Sequence, residues 1–295
     1  MNPALPCSPA QETLPPALNP AGESVIAYYD QNQFLYNLFW SKAALHYGFW
    51  EPGTRTLAEA IANTDRFVAD CLELGPADRV LDAGCGTGGT SLYLAEHYPV
   101  EVVGISLSEV QLRQARRRAA ASPAGPRLAF HRRDFTRTGF AEGSFSRVIG
   151  IESACHAPVK SQFLRELFRL LRPGGLLVVI DAWLRREPAP GREEELYRDF
   201  LRGWALPNIA PREEFAAGLD AAGFTDVRYH DKFEAVVPSS RRIHRYGLAF
   251  RPFTWLLRGL RLVPPSVHGH SVGAVNQWRL VKAGLLTYGA FVARR

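Results

Sequence analysis

The chain has 295 residues, 46% of them hydrophobic, and a formal charge of +6, which accommodates one α/β domain with additions and a sizeable core. No apolar run approaches the roughly 18 residues of a membrane helix, and the basic residues are spread over several helices rather than alternating with aromatics in a recognition motif, so membrane-spanning and nucleic-acid-binding classes are set aside. Cys7, Cys71, Cys85 and Cys155 are scattered, with neither a CxxC pair nor metal-ligand spacing, as in a reduced, cytoplasmic setting.

Residues 1–22 carry prolines throughout, have no basic start and no apolar stretch of signal-peptide length, and read as a disordered tail. Residues 23–74 form a helical cap. In its first helix Val25, Tyr28, Tyr29, Asn32, Leu35, Tyr36 and Phe39 recur at helical intervals behind Ser24 as N-cap. The Gly- and Pro-containing stretch His46–Thr56 is a loop, and a second helix over Leu57–Leu74 stops at Gly75-Pro76.

From Arg79 short apolar runs alternate with amphipathic helices, the pattern of a parallel sheet built from βαβ units. Strands are expected at 79–83, 100–106, 127–134, 146–153 and 175–183, and helices at Gly89–His97, Glu109–Ala121 and Ser161–Leu171, the last stopped by "RPGG". Two further helices fall in "GREEELYRDFL" and in 212–223, and "FTDVRYHD" is a sixth strand. The core therefore spans 75–235, with 284–295 as its final strand. The intervening 236–283 is long for a connection in a compact domain and is expected to be a helical lid.

The segment "VLDAGCGTGG" (80–89) sets a glycine turn directly after a strand. Glycine has no Cβ and tolerates positive φ, so backbone N–H groups can approach a nucleotide-like ligand there. Gly84, Gly86 and Gly88 satisfy GxGxG, while Gly84, Gly86 and Gly89 satisfy the dinucleotide GxGxxG, so spacing alone is ambiguous. Asp82, two residues before the first glycine, would repel a pyrophosphate but suits an ammonium group, which favours an amino-acid-bearing nucleoside. Asp134, ending the third strand, is placed to accept from an adenine amine, with Phe135 beside it as a packing surface. A turn that merely packs, with Asp82 as a helix-capping acid, is the competing reading.

"VLDAGCGTGG", "VVGISLS", "HRRDF", "LLRPGG" and the final strand resemble the class I S-adenosylmethionine-dependent methyltransferases, over about Leu72–Asp181 and the last strand. The resemblance implies a Rossmann-like, seven-stranded, mostly parallel sheet with an antiparallel last strand, and S-adenosylmethionine as cofactor. Most relatives end the second strand with an acid; here Ser106 stands in "GISLSEVQ". That form is similar to the GI(T/S)LSxxQ of tocopherol, sterol, sugar and macrolide methyltransferases, which implies that Gln111 contributes to the ribose site. "YYD" (28–30), "HYGFWEP" and the closing "NQWRLVKAGLLTYGAFVARR" look most like tocopherol-type enzymes, and "ESACHAP" (152–158) is close to the sterol type.

Methyl transfer from a sulfonium is an in-line displacement, and an oxygen or carbon nucleophile must also lose a proton. His156, just after the fourth strand, is the expected base; the resemblance implies Asp181 as its orienting partner, and Glu152 is the substitute. Tyr28 and Tyr29 offer aromatic faces to the sulfonium, and His46, Trp50 and Trp183 are candidates for the acceptor pocket. "HGH" (268–270) has no third ligand in obvious spacing, so no metal is expected. The lid mixes bulky apolar residues with Arg245, Arg251, Arg258 and Arg261, which suits a lipophilic acceptor, an anionic membrane surface touched peripherally, or a prenyl diphosphate. The function expected is methyl transfer to carbon or oxygen of an isoprenoid, sterol, quinol or polyketide. A cofactor-binding enzyme that catalyses a cyclisation or rearrangement, and a noncatalytic binding protein, remain as alternatives.

Overall fold

Arg79–Ala83 forms the first strand (β1), whose last four residues are buried, as expected of a central strand covered on both faces. The computed structural model describes residues 26–32 and 44–295; the expected tail, and Val25, Leu35, Tyr36 and Phe39 of the first expected helix, lie outside these. β1 is followed by β2 (Glu101–Ser106), β3 (Leu128–Arg132), β4 (Phe145–Ile151) and β5 (Leu171–Leu184), all parallel to their neighbours. β6 (Thr225–Asp231) and β7 (Leu286–Arg294) complete a seven-stranded sheet of order β3-β2-β1-β4-β5-β7-β6. β7 enters between β5 and β6 and is antiparallel to both, so the Rossmann-like expectation holds.

In chain order the helices are α1 (residues 26–32), α2 (Leu57–Leu72), α3 (Gly89–His97), α4 (Glu109–Ala120), α5 (Lys160–Leu170), α6 (Arg192–Gly203), α7 (Arg212–Ala222), α8 (Phe233–Gly259) and α9 (Pro265–Lys282). α2 opens on a capping box: the Glu59 N–H donates to the Thr56 hydroxyl, and the Glu59 carboxylate accepts from the Thr56 N–H. The sheet is covered on both sides. Along β5, Leu177, Val179 and Trp183 join α5 and α7 in one core, while Val178 and Ile180 join α2 and α3 in the other, the period-two alternation of a strand.

One detail differs from the sequence reading. The "RPGG" after α5 does not stand outside the sheet: β5 begins at Leu171, which pairs with Phe145, and the register then shifts before Arg147 pairs with Leu176. The Pro-Gly-Gly stretch supplies the irregularity, with Gly174 at φ +76° donating to the Arg295 carbonyl. Residues 236–283, expected to be helical, form the greater part of a helical hairpin, α8 packed on α9, with α6 against α9. A Cβ on Gly203 would lie 2.6 Å from the Gly269 carbonyl oxygen and from Gly273 Cα, so the α6–α9 crossing depends on bare backbone.

Candidate active site

The turn after β1 positions the first group of site residues. Gly84, Gly86 and Gly88 have φ of +103°, +52° and +75°, which side chains rarely adopt. Gly84 and Gly86 line a cavity of about 790 Å³ at the carboxyl edge of the sheet. Gly88 does not. It is the N-cap of α3, and a Cβ there would meet Ala115 and the Phe130 ring at 2.9 Å, so its absence of a side chain serves packing rather than ligand contact.

Asp82 is buried on the cavity wall and accepts from the Ser91 hydroxyl at 2.6 Å. Burial pushes its carboxyl up to about 6, opposed by Ser91 and by the charge of His46. His46 sits beneath the turn, with Nδ1 at 2.8 Å from the Tyr47 carbonyl and Nε2 at 3.1 Å from Thr90 Oγ1 and 3.4 Å from Asp65. Burial pulls its pKa down, but the hydrogen bond to Asp65 and the charge of Asp65 reverse this and lift it to about 9. His46 is therefore a buried cation supporting the turn, not a free group at the acceptor end. Ser153, missed in the sequence, lines the same wall and has a buried hydroxyl without a protein partner. A buried acid, a side-chain-free turn and an orphaned hydroxyl at one edge can together accept from an ammonium group and donate to a carboxylate.

Next along the edge, the Ser106 hydroxyl donates to Gln111 Oε1 at 3.0 Å, and both residues line the cavity. Ser108 caps α4 and also donates to Asp30 of α1 at 2.5 Å, so the N-terminal helix docks directly onto this corner. Asp134 holds its own turn by accepting from the Thr136 N–H and hydroxyl. Phe135 packs edge-on against Phe163, 5.1 Å between ring centroids. Asp134 and Phe135 also border the cavity.

The far end of the cavity lies between the sheet edge, α6, α8 and α9, and is walled by residues such as Phe200, Ile209, Ile243, Phe250 and Leu257. No arginine or lysine lines the cavity among the described residues, and no group of three metal-ligating side chains occurs among them. His156, Asp181 and Glu152 all reach its wall, but His156 and Asp181 are not joined. Asp181 accepts from the N–H groups of Cys155 and Ala182 at 2.9 and 2.8 Å, and burial pushes its carboxyl up to about 7. His156 pairs instead with Tyr29, whose hydroxyl is 2.9 Å from Nε2. Burial, helped by the Lys160 cation, holds this imidazole down at about 4. Glu152 has φ +49°, a strained conformation for a non-glycine residue, and accepts from the Tyr47 N–H and the Tyr288 hydroxyl at 2.8 and 2.7 Å. Burial raises its pKa.

Three expected pocket residues lie elsewhere. Tyr28 does not line the cavity but is buried behind it, with its hydroxyl 2.6 Å from Nδ1 of the lining His270. Trp50 donates from Nε1 to Ser239 at 3.0 Å and ties the loop before α2 to α8. Trp183 is fully in the core, packed on Phe215 and Phe291 and donating to the Gly289 carbonyl; the strand's alternation points it under α7. The residues that sequence reasoning missed, Phe200, Trp204, Ile209 and Tyr288, come from α6, a connection and β7, and carry no local signal beyond being apolar or aromatic.

Residues 80–175 match the family described as "Methyltransferase domain". The chain is 27% identical to the chloroplastic tocopherol O-methyltransferase of Arabidopsis thaliana, over 90% of this chain and 81% of that one. It is 34% identical to the 2-methyl-6-phytyl-1,4-hydroquinone methyltransferase of Synechocystis sp., over 75% of this chain and 70% of that one. Among solved structures it resembles a mycolic acid cyclopropane synthase complexed with SAH, the demethylated form of the cofactor, at a TM-score of 0.80 and 20% identity, covering 94% of this chain and 99% of that one.

Proposed function

The chain belongs to the class I S-adenosylmethionine-dependent methyltransferases, and on that premise we propose that its methyl acceptor is an uncharged, lipophilic small molecule of quinol, sterol, isoprenoid or polyketide type, modified at carbon or oxygen. One observation carries this reading: the cavity that begins at Asp82 and the glycine turn, where His46 is its one cationic lining group, continues into an apolar chamber between α6, α8 and α9 whose described lining has neither arginine nor lysine. An acceptor bearing a diphosphate would place its charge there without a partner, at a cost that apolar burial does not offset. The prenyl diphosphate expectation is therefore dropped, and the two quinol-type relatives support the reading that remains.

When bound, S-adenosylmethionine supplies an electrophilic methyl on sulfur. The chain's residues position and exclude water. Asp82 and Ser153 bind the aminoacyl end, Ser106 and Gln111 the ribose, and Asp134 with Phe135 the base. α1, α8 and α9 close the chamber as a lid, which keeps the nucleophile desolvated.

The acceptor's proton passes through the Tyr29 hydroxyl to His156. An imidazole protonated at Nδ1 leaves Nε2 to accept from Tyr29, and its depressed pKa keeps it neutral and available at physiological pH. Burial raises the pKa of both Glu152 and Asp181, the latter to about 7, which favours the protonated forms that can donate to an acceptor oxygen. The test is incubation of the purified protein with S-adenosylmethionine and a panel of quinols, sterols and hydroxylated polyketides, read by mass spectrometry. A gain of one methyl on such an acceptor supports the proposal; turnover of an unmethylated product, or of diphosphates alone, overturns it.

A further inference from the structure

Residues 235–282 carry seven arginines and one lysine and neither aspartate nor glutamate. That is +8 in a chain whose formal total is +6, so everything else sums to −2. The charge is joined to apolar exposure. At the end of α8 and in the turn to α9, Phe253, Trp255, Leu256, Leu260 and Leu262 are between 51% and 68% exposed, a concentration that monomeric surfaces seldom show without a partner. Arg251, Arg258 and Arg261 interleave with them and are themselves exposed.

The same tip opens into the active-site chamber. Phe253 is 56% exposed and also lines the cavity, together with Leu257 and Val263 of the same stretch. A path lined by apolar side chains therefore leads from the exposed tip towards the Tyr29–His156 pair.

We propose that the α8–α9 tip docks on the surface of an anionic lipid bilayer and serves as the port through which a membrane-dissolved acceptor enters. The purpose of the port rests on the lipophilic-acceptor reading above, whereas the docking itself does not. Bulky apolar side chains enter the acyl boundary while arginines, with their long aliphatic stems, reach back to headgroup phosphates. A protein interface could use the apolar groups, but a tip bearing Arg251, Arg258 and Arg261, on a hairpin stretch with no acid between residues 235 and 282, matches a uniformly negative lipid face more closely than a mixed-charge protein one. No helix among the described residues is long and apolar enough to cross a membrane, so the contact is one-sided.

The experiment is flotation of the full-length protein with vesicles of phosphatidylcholine containing about one third phosphatidylglycerol, beside vesicles of phosphatidylcholine alone, without acceptor. Binding to the anionic vesicles should be at least about tenfold tighter and should weaken as salt is raised. Trp255→Asp with Leu260→Asp should abolish flotation while leaving S-adenosylmethionine affinity unchanged, which shows that the variant is folded. Equal binding to both vesicles, or no binding to either, overturns the proposal. So does a concentration-dependent dimer, seen by sedimentation, that the double variant dissolves, because the tip would then be a self-interface. Because no turnover is measured, a failure of the acceptor assignment would leave these outcomes untouched. A failure to float would leave the acceptor assignment standing.

Discussion

The Tyr29 hydroxyl lies 2.9 Å from His156 Nε2, and this bond joins the N-terminal helix to the short turn after the fourth strand at the cavity wall. It gives the N-terminal segment a chemical role as well as a covering one. Replacing His156 by Ala should lower kcat by about 10² to 10⁴, the scale of general-base catalysis, with cofactor affinity preserved. Tyr29→Phe should lower kcat less, and should add little when His156 is already Ala, since groups acting as a unit are not additive. Near wild-type turnover in His156→Ala would remove the assignment and leave Glu152 as base.

The pH dependence should separate two groups. His156 is held at about 4 by burial, so at saturating cofactor kcat/KM for the acceptor should stay level as pH falls through 6.5 and decline only towards 4. Asp82 is pushed up to about 6 by burial, so the KM for S-adenosylmethionine should rise as pH drops below 6. Steady-state kinetics from pH 5 to 8 checks both; a kcat/KM that halves near 6.5 contradicts the burial of His156.

Asp82→Ala should weaken S-adenosylmethionine binding by about 1.5 to 3 kcal/mol, the scale of hydrogen bonds to a charged group, or one to two orders of magnitude in Kd. Titration calorimetry reads this directly. Unchanged affinity would mean that the acid merely orders α3 through Ser91.

Asp181 makes a stability prediction whose sign follows from its raised pKa. A carboxyl at about 7 in the folded chain, against about 4 when unfolded, binds its proton more tightly in the fold. Its contribution is complete below pH 4 and is lost as pH rises through 7. The difference in unfolding free energy between the wild type and Asp181→Asn should therefore shrink by at most about 4 kcal/mol across that window. Denaturant titrations at pH 4.5 and 7.5 measure it, and a constant gap would show that Asp181 is ionised throughout.

Trp183→Ala should cost about 3 to 5 kcal/mol of stability, as deletion of a large core side chain does, without changing the KM of an acceptor. A raised KM in a normally stable variant would return Trp183 to the pocket.

Hydrogen exchange should show residues 26–32 and 233–282 protected when cofactor and acceptor are added together, because lids are drawn from the less stable elements. Protection confined to the central strands would make both segments passive.

Much of this protein was legible one element at a time. The five parallel strands and the glycine turn follow from patterns that span only a few residues, since period and positive φ are local properties of the chain. The cavity edge they line was readable for the same reason: Asp82, Gly84 and Gly86 adjoin a single strand end, and Ser106 and Gln111 lie five residues apart. Partnerships between distant segments were not readable. Nothing near His156 says that its partner is Tyr29, 127 positions away, rather than Asp181, because both choices place a polar group at the sheet edge and only packing decides which reaches the ring. Gly88 and Trp183 were misassigned for the corresponding reason: a glycine looks the same whether it admits a ligand or the Phe130 ring, and an aromatic at a strand end looks the same on either face. The chamber itself belongs wholly to the tertiary structure. Its walls come from α6, α8, α9 and β7, none of which carries a local signal of the space they enclose, since the shape of a cavity depends on how helices cross and not on the composition of any one of them.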